Sequence, residues 1–66
     1  MELKNFGNNL AKIRVRKNIS AYELSLRIGK APNYIHRVET AKTNVGVKTV
    51  FEICEVLEIS PKELFD

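Results

Sequence analysis

The chain has 66 residues, 29% of them charged, and a formal net charge of +3 at pH 7. So short a chain supports one domain, spanning residues 1–66, whose small core depends on efficient helix packing or on a partner chain. A disulfide within the chain is excluded because Cys54 is its one cysteine, and no apolar run approaches the roughly 20 residues that cross a bilayer. The N-terminus lacks the basic and then apolar order of a signal peptide, so we expect a soluble, cytoplasmic protein.

Basic and acidic side chains are concentrated in different parts of the chain. Residues 1–44 carry nine basic and three acidic side chains, a net charge of +6, whereas residues 45–66 carry two basic and five acidic ones, a net charge of −3. Such a dipolar protein directs its basic side toward a polyanion and holds its acidic side away. An unevenly charged surface that is merely solvated is the alternative interpretation.

The first two predicted helices are separated near Asn18, which favours a helix end. Helix two begins at a capping box formed by Ser20 and Glu23, in which each side chain accepts a hydrogen bond from the other residue's backbone N–H. It ends at Gly29, because glycine adopts the left-handed conformation at little cost. Helix one has an apolar stripe at spacings of three and four residues, formed by Leu3, Phe6, Leu10 and Ile13.

Helix three is expected to begin at Pro32, because the N–H that proline lacks is unpaired in a first helical turn anyway. Its N-cap is then Ala31, a poor capping residue. Ile35 and Val38 face the core. The polar residues 40–46 form a linker to the next helix.

Two more helices are predicted after this linker. Helix five begins at a second capping box, Ser60 and Glu63, with Pro61 at the first helical position, and it ends at Phe65. No segment shows the alternation of a strand, so the fold class is all-α with five helices. Helix four is predicted to bury one side that is formed by Val47, Val50, Phe51, Cys54 and Leu57.

Helices two and three are joined by residues 29–31, and two short helices joined by about three residues with a glycine are typical of a helix-turn-helix. In that motif the second helix enters the major groove, where its N-terminal side chains meet base edges. Asn33, His36 and Arg37 have suitable chemistry, since asparagine bonds adenine bidentately and arginine bonds guanine. An ordinary helical hairpin with a solvated outer face is the alternative.

From Leu10 to Phe65 the sequence resembles the Cro/repressor-type helix-turn-helix proteins, also called the xenobiotic-response-element (XRE) family. The resemblance implies a five-helix, lambda-repressor-like domain that binds double-stranded DNA sequence-specifically, with helix three as the recognition helix, and that represses transcription as a homodimer. The matching positions are Ile13-Arg14, Ile19-Ser20-x-x-Glu23-Leu24, Ile28-Gly29, Tyr34-Ile35-x-Arg37-Val38-Glu39, Val47-x-Thr49-Val50, Ile53-Cys54-x-Val56-Leu57 and Ile59-Ser60-Pro61-x-Glu63-Leu64-Phe65.

The resemblance also implies roles for individual residues. Arg14 and Glu39 occupy the places of a structural ion pair that locks helix one onto helix three. The base-contacting positions are Pro32, Asn33, His36 and Arg37. The phosphate-contacting positions lie around the start of helix two and after helix three, and they are Arg16, Lys17, Asn18, Ser20, Ala21, Tyr22, Thr40, Lys42, Thr43 and Asn44.

Three positions depart from the family pattern. Ala21 replaces the glutamine that usually supports the recognition helix, and Pro32 replaces a polar side chain at its first position. Glu58 stands where glycine commonly closes helix four, so a left-handed residue there costs about 1 kcal/mol. The first two departures favour an alternative function, a protein-interaction module or antitoxin-type partner that kept the fold without binding DNA specifically.

Other functions find little support in the sequence. His36 is the one histidine and Cys54 falls on an apolar stripe, so we expect no metal site, and neither a cofactor nor a small-molecule ligand is indicated. No nucleophile–base pair or glycine-rich phosphate loop is present, and an enzyme is not expected. We expect a dimer interface at Leu64 and Phe65, or alternatively a Phe65 side chain that folds back onto helix one or helix four.

Overall fold

A computed structural model describes residues 3–66, without the side chain of Leu3, which leaves that member of the predicted apolar stripe outside the described residues. Within residues 3–66, five helices follow one another and confirm the predicted all-α fold. They are α1 (Leu3–Arg16), α2 (Ala21–Arg27), α3 (Tyr34–Glu39), α4 (Val47–Leu57) and α5 (Lys62–Phe65).

One apolar cluster receives side chains from all five helices. The stripe predicted for α1 is buried at Phe6, Leu10 and Ile13, and each of the other helices contributes one to four residues. Such interdigitated packing is the main favourable contribution to the stability of a chain of this size. The buried apolar residues are Phe6, Leu10, Ile13, Ile19, Leu24, Ile35, Val38, Val50, Ile53, Cys54, Leu57 and Leu64.

Each predicted capping box forms only in part. The Ser20 hydroxyl accepts from the Glu23 N–H at 2.9 Å, but the Glu23 carboxylate lies 3.6 Å from the Arg27 guanidinium, one turn further along α2. At the start of α5 the Glu63 carboxylate accepts from the Ser60 N–H at 3.0 Å. Both helix starts are therefore satisfied by the residues that the sequence indicated.

The face that α4 buries differs from the prediction. Val47 and Phe51 were expected in the core, yet their side chains are 73% and 58% exposed, and Ile53 is fully buried in their place. Apolar residues occupy more of α4 than one stripe can bury, so periodicity alone does not decide its rotation. The core selects the stripe that includes Val50 and Leu57.

The expectation that Leu64 belongs to a dimer interface is wrong, because its side chain is fully buried within its own chain. Phe65 is 49% exposed, and its ring lies 5.4 Å from that of Phe6, which is a partial return onto α1. The Asn9 amide of α1 also donates to the Leu64 carbonyl at 3.0 Å. The last helix is thus fastened to the first by both packing and hydrogen bonding.

Among residues 3–66, three non-glycine residues have a left-handed backbone, and each lies at or just after the end of a helix. Asn18 has φ 59° after α1, and Ala41 has the same φ after α3. Glu58 ends α4 with φ 57° and ψ 50°, so the left-handed turn expected at that non-glycine position is present. Such a residue costs about 1 kcal/mol relative to glycine, which has no Cβ clash.

The Cys54 thiol lies in the core on the buried side of α4. Burial, together with the negative charge of Glu63, raises the pKa of this thiol, so it remains protonated. Among residues 3–66, no three potential metal ligands of the His, Cys, Asp and Glu types come together. Over the same range, no helix has both the length and the apolar character needed to cross a bilayer.

Candidate nucleic-acid interface

The connection between α2 and α3 is a tight turn with a left-handed glycine. Gly29 has φ 74°, and its N–H donates to the Leu26 carbonyl at 3.0 Å. The Lys30 N–H donates to the Ser25 carbonyl at 2.9 Å, which closes the end of α2. This turn directs the chain away from the axis of α2 and places α3 across it, as in a helix-turn-helix.

Helix α3 begins at Tyr34, two residues later than predicted, because Pro32 and Asn33 form a turn in which the Tyr34 N–H donates to the Ala31 carbonyl at 3.0 Å. Asn33 stands at the N-cap but makes no side-chain cap bond. The Asn33 side-chain amide therefore makes no bond to the helix. The Ala31 carbonyl accepts from the Tyr34 N–H, as a capping side chain would otherwise do.

Ser25 links α2 to the start of α3. Its side chain is fully buried, its hydroxyl donates to the Ala21 carbonyl at 2.8 Å, and its oxygen accepts from the Ile35 N–H at 3.0 Å. An N–H in the first helical turn has no intrahelical partner, and a buried one left unpaired is costly. Ser25 therefore fixes where α3 begins relative to α2. Ser25 was not among the residues predicted from the sequence, although it is a serine at a position where the pattern of α2 calls for an apolar residue.

Arg14 and Glu39 hold the other end of α3. The Arg14 Nε donates to one Glu39 carboxylate oxygen at 2.7 Å and Nη2 to the other at 3.2 Å, with side-chain exposures of 16% and 10%. The Arg14 Nη1 also donates to the Ile19 carbonyl at 2.9 Å. The structure thus brings together the two residues expected to pair, and the same guanidinium holds the segment that leads into α2.

Gly7 lets α1 approach the end of α3 closely. A Cβ atom placed on Gly7 would lie 2.7 Å from the carbonyl oxygens of both Val38 and Glu39, closer than real Cβ contacts occur. The two helices are therefore in backbone contact at this point. Gly7 was not among the residues predicted from the sequence, because a glycine inside a helical pattern is usually only a weak helix former.

The outer face of α3 is exposed and chemically free. Pro32, Asn33, His36 and Arg37 are all exposed, and together they occupy the side opposite the buried Ile35 and Val38. The side chains of Asn33, His36 and Arg37 make no hydrogen bond or ion pair with other residues in the described part of the chain. Their donors and acceptors are available to a ligand.

Tyr34 and Lys30 form a second feature of this region. Tyr34 is partly buried and packs against the core, and the Lys30 ammonium lies 5.5 Å from the centre of its ring. Such a cation–π contact restrains a side chain that is otherwise mobile. Lys30 was not among the predicted site residues, although its spacing of four residues from an aromatic side chain was visible in the sequence.

The residues predicted to contact phosphate lie on both sides of α3 in the chain. Before α2, Arg16, Lys17, Asn18 and Ser20 are exposed. In the first turn of α2, Ala21 is partly buried and Tyr22 is 60% exposed. After α3, Thr40, Lys42 and Asn44 are exposed, and Thr43 is partly buried. The Thr40 hydroxyl already donates to the His36 carbonyl at 2.9 Å, so this donor is occupied within the chain.

The known proteins that this chain resembles are helix-turn-helix proteins. The sequence profile of the helix-turn-helix family matches residues 10–64. An uncharacterized HTH-type transcriptional regulator of Sinorhizobium fredii, y4dJ, is 31% identical over 58 residues, which cover 88% of this chain and 75% of the relative.

Two solved structures are similar as well. The restriction-modification controller protein C.AhdI of Aeromonas hydrophila superposes with a TM-score of 0.89 at 32% identity, covering 96% of both chains. The clp gene regulator ClgR of Corynebacterium glutamicum superposes with a TM-score of 0.90 at 21% identity, covering 96% of this chain and 67% of that protein, and this likeness concerns the fold alone.

Proposed function

This chain belongs to the Cro/repressor-type helix-turn-helix (XRE) family of DNA-binding transcriptional regulators, and we propose that it represses transcription by placing α3 in the major groove of an operator. The observation that supports the proposal is the difference between the inner and the outer face of α3. Ser25 and the Arg14–Glu39 pair hold this helix from inside, whereas Asn33, His36 and Arg37 have no partner in the described chain. The protein would act where the DNA is, which we take to be the cytoplasm.

Base recognition is assigned to the outer face of α3. A carboxamide such as that of Asn33 matches the N6 and N7 edge of adenine, and a guanidinium such as that of Arg37 matches the O6 and N7 edge of guanine. His36 lies beside Arg37 on the same face and offers a ring nitrogen. Pro32, in the preceding turn, has no N–H and contributes only apolar contact, for example with a thymine methyl group.

Phosphate contacts are assigned mainly to the charged side chains that border this face. Arg16, Lys17 and Lys42 are exposed and form no ion pair with described residues, so they can neutralise phosphates at low cost. With only seven residues, α2 is too short for its N-terminus to act alone, and contacts from Ser20 and its neighbours are secondary. Thr43 and Asn44 complete the border on the far side of α3.

A two-fold operator read by a homodimer completes the proposal. One domain of this size reads only a half-site, and dimers place two recognition helices about one turn of DNA apart. Such a dimer doubles the contacts, and binding of the second half-site becomes an intramolecular step, which raises the overall affinity. The exposed half of Phe65 is one candidate for the dimer interface.

Fluorescence anisotropy with a labelled random-sequence duplex at several salt concentrations tests DNA binding. A DNA-binding protein releases counterions, so log K should fall linearly with log salt, and Lys17→Ala and Lys42→Ala should each reduce the slope by roughly one unit. Lys62→Ala, an exposed lysine in the acidic part of the chain, is the matched control and should leave the slope unchanged. Absence of binding at low salt would overturn the proposal.

Sequence specificity is tested on a duplex selected from random DNA by the wild-type protein. Arg37→Ala and Asn33→Ala should each cost about 1–3 kcal/mol on that duplex and relax selection at one base pair. If both variants select the same sequence with the same preference as the wild type, α3 does not read the bases.

The second candidate is a protein-interaction module that retains the fold. The observation favouring it is the pair of departures at Ala21 and Pro32, which remove two polar groups from the recognition region. The salt titration separates the two functions, because an interaction module would show neither measurable binding to random duplex nor a steep salt slope.

A further inference from the structure

The turn between α2 and α3 contains a lysine that the DNA interface assigned above does not include. Lys30 is exposed and forms no ion pair with any residue in the described part of the chain. Its ammonium lies 5.5 Å from the centre of the Tyr34 ring. It directly follows Gly29, whose left-handed backbone turns the chain toward α3. Lys30 is therefore a cation without a carboxylate partner beside the first turn of the recognition helix.

Tyr34 lies on the border between the core and the outer face of α3. The neighbours of a residue on a helix surface lie three and four positions further on, and for Tyr34 these are the exposed Arg37 and the buried Val38. Its side chain is accordingly partly buried and packs against the apolar cluster. Side chains on a helix lean toward its N-terminus, so the ring points back toward Lys30. The ammonium of Lys30 thus lies at the N-terminal end of the edge that Arg37 borders.

The contact with Tyr34 orders the Lys30 side chain before a ligand binds. A lysine has a long, flexible stem and loses rotamer entropy when a ligand fixes its ammonium. Packing against the core restrains the Tyr34 ring, so the ring offers a fixed surface to the cation. Part of the entropy is then lost on folding instead of on binding, and association with an anion becomes more favourable.

The surroundings of Lys30 favour an anion, and its position favours a DNA phosphate. Residues 28–38 contain no acidic side chain, and the carboxylate of Glu39 is bound by Arg14. An ammonium is a compact point charge that suits a phosphate oxygen. Phosphates of both strands border the major groove, so the ends of a helix lying in the groove come close to them.

We propose that Lys30, held over the Tyr34 ring, binds a DNA phosphate at the N-terminal end of α3. The inference rests on the proposed function and deepens it, because it adds a positioning contact to the recognition helix. Lys42 is assigned to a phosphate beyond the other end of α3. The two contacts together fix how α3 lies in the groove and which bases Asn33 and Arg37 meet, without reading sequence themselves.

Fluorescence anisotropy with the random-sequence duplex and with the selected duplex tests the contact. Lys30→Met removes the charge and keeps an unbranched stem. It should lower the affinity for both duplexes alike, by about fivefold near physiological salt, and reduce the salt slope by roughly one unit, because one counterion fewer is released. Lys62→Met, at an exposed lysine of α5, is the matched control and should change neither quantity.

The conservative variant Lys30→Arg separates the charge from other effects of substitution. A guanidinium keeps the positive charge and also contacts an aromatic face, so the wild-type salt slope should be retained. An unchanged salt slope for Lys30→Met would overturn the phosphate contact. Loss of selection at one base pair in Lys30→Met would mean that Lys30 reads a base, and this would overturn the proposal as well.

Substitutions of Tyr34 test whether its ring positions Lys30. Tyr34→Leu removes the ring but leaves the lysine charge, so the salt slope should be retained while the affinity falls about twofold to threefold. Tyr34→Phe keeps the ring and should bind like the wild type. An equal loss in both variants would assign the effect to the tyrosine hydroxyl and overturn the positioning role. Thermal denaturation of both variants controls for changes in the fold.

A double variant makes the test independent of changes in stability. If the ring acts through the lysine, Lys30→Met combined with Tyr34→Leu should bind DNA no more weakly than Lys30→Met alone. Additive losses would overturn the coupling between the two side chains. Nuclear magnetic resonance of the free protein observes the contact directly, because the ring shields the Lys30 Hε protons. This shielding should persist in Tyr34→Phe and disappear in Tyr34→Leu, and its absence from the wild type would refute the pre-ordered contact.

The same measurements distinguish failure of this inference from failure of the proposed function. A wild-type protein that binds random duplex with a steep salt slope, together with an unchanged slope for Lys30→Met, refutes the role of Lys30 alone. A wild-type protein that binds no duplex even at low salt refutes the proposed function and the phosphate contact together.

Discussion

The inner face of α3 is packed and hydrogen-bonded to the rest of the fold, whereas its outer face is not. On the inner face, Ile35 and Val38 are buried, Ser25 accepts from the Ile35 N–H, and Glu39 shares two hydrogen bonds with Arg14. On the outer face, the side chains make no contact of this kind within the described chain. A six-residue helix is too short to be stable alone, so the inner face supplies nearly all of its stability.

Because of this difference, substitutions on the two faces of α3 should have different effects. Substitutions on the inner face should alter the free energy of unfolding, whereas substitutions on the outer face should alter DNA binding and leave the fold unchanged. A regulator organised in this way can acquire a new target sequence without losing stability.

Arg14→Ala should lower the free energy of unfolding by about 3 kcal/mol, because it leaves the largely buried Glu39 carboxylate without its partner. Urea denaturation followed by circular dichroism measures the change. Arg16→Ala, which removes an exposed arginine from the same helical turn, is the control and should have little effect. Equal effects of the two substitutions would mean that the ion pair contributes nothing to stability.

Gly7→Ala should lower the free energy of unfolding by about 2 kcal/mol, since the added methyl group meets two backbone carbonyls that cannot move independently. Alanine is the better helix former, so propensity alone predicts the opposite sign. Asn8→Ala, at the exposed neighbouring position, controls for propensity in the same denaturation experiment. A stabilising Gly7→Ala substitution would contradict the backbone contact between α1 and α3.

Ser25→Ala should lower the free energy of unfolding by about 1–2 kcal/mol, because the buried Ile35 N–H loses its acceptor. Thermal denaturation and hydrogen exchange at the Ile35 amide both report this loss, and exchange there should accelerate. Thr40→Ala removes an exposed hydroxyl and should change stability less. Unchanged exchange at Ile35 would show that the hydroxyl does not hold this amide in solution.

Arg37→Ala and Asn33→Ala should change the free energy of unfolding by no more than about 0.5 kcal/mol, because both side chains are exposed and unpaired among described residues. The same denaturation experiment measures this. A loss comparable to that of Ser25→Ala would show that the outer face also contributes to the fold.

Most of the fold could be predicted from local sequence. The capping serines, Gly29 and the spacing of the apolar residues located five helices within residues 3–66, and α1 ends close to Asn18 as predicted. The left-handed conformation of Glu58 was expected from the family pattern. The rotation of α4 could not be predicted, because apolar residues occur on more than one of its faces. Which face is buried depends on the shape left by the other helices, and that is a property of tertiary packing.

Only part of the candidate site could be predicted from the sequence. The side chains on the outer face of α3 were identified by their chemistry, which matches the edges of bases, and by resemblance to the family. The residues that position α3 were identified only where the family pattern included them. Ser25 and Gly7 act through contacts with distant backbone atoms, and no local pattern in the sequence reveals such contacts.

Because Cys54 is buried, the reactivity of its thiol reports how often the helices around it separate. A protonated thiol in the core does not react with disulfide reagents until the helices around it separate, so the reaction rate measures how often they open. Glu63, whose charge acts on this thiol, belongs to α5, and separation of α5 is therefore one opening that the rate would detect. If DNA or a second copy stabilises the closed state, the reaction should slow in proportion to the fraction bound.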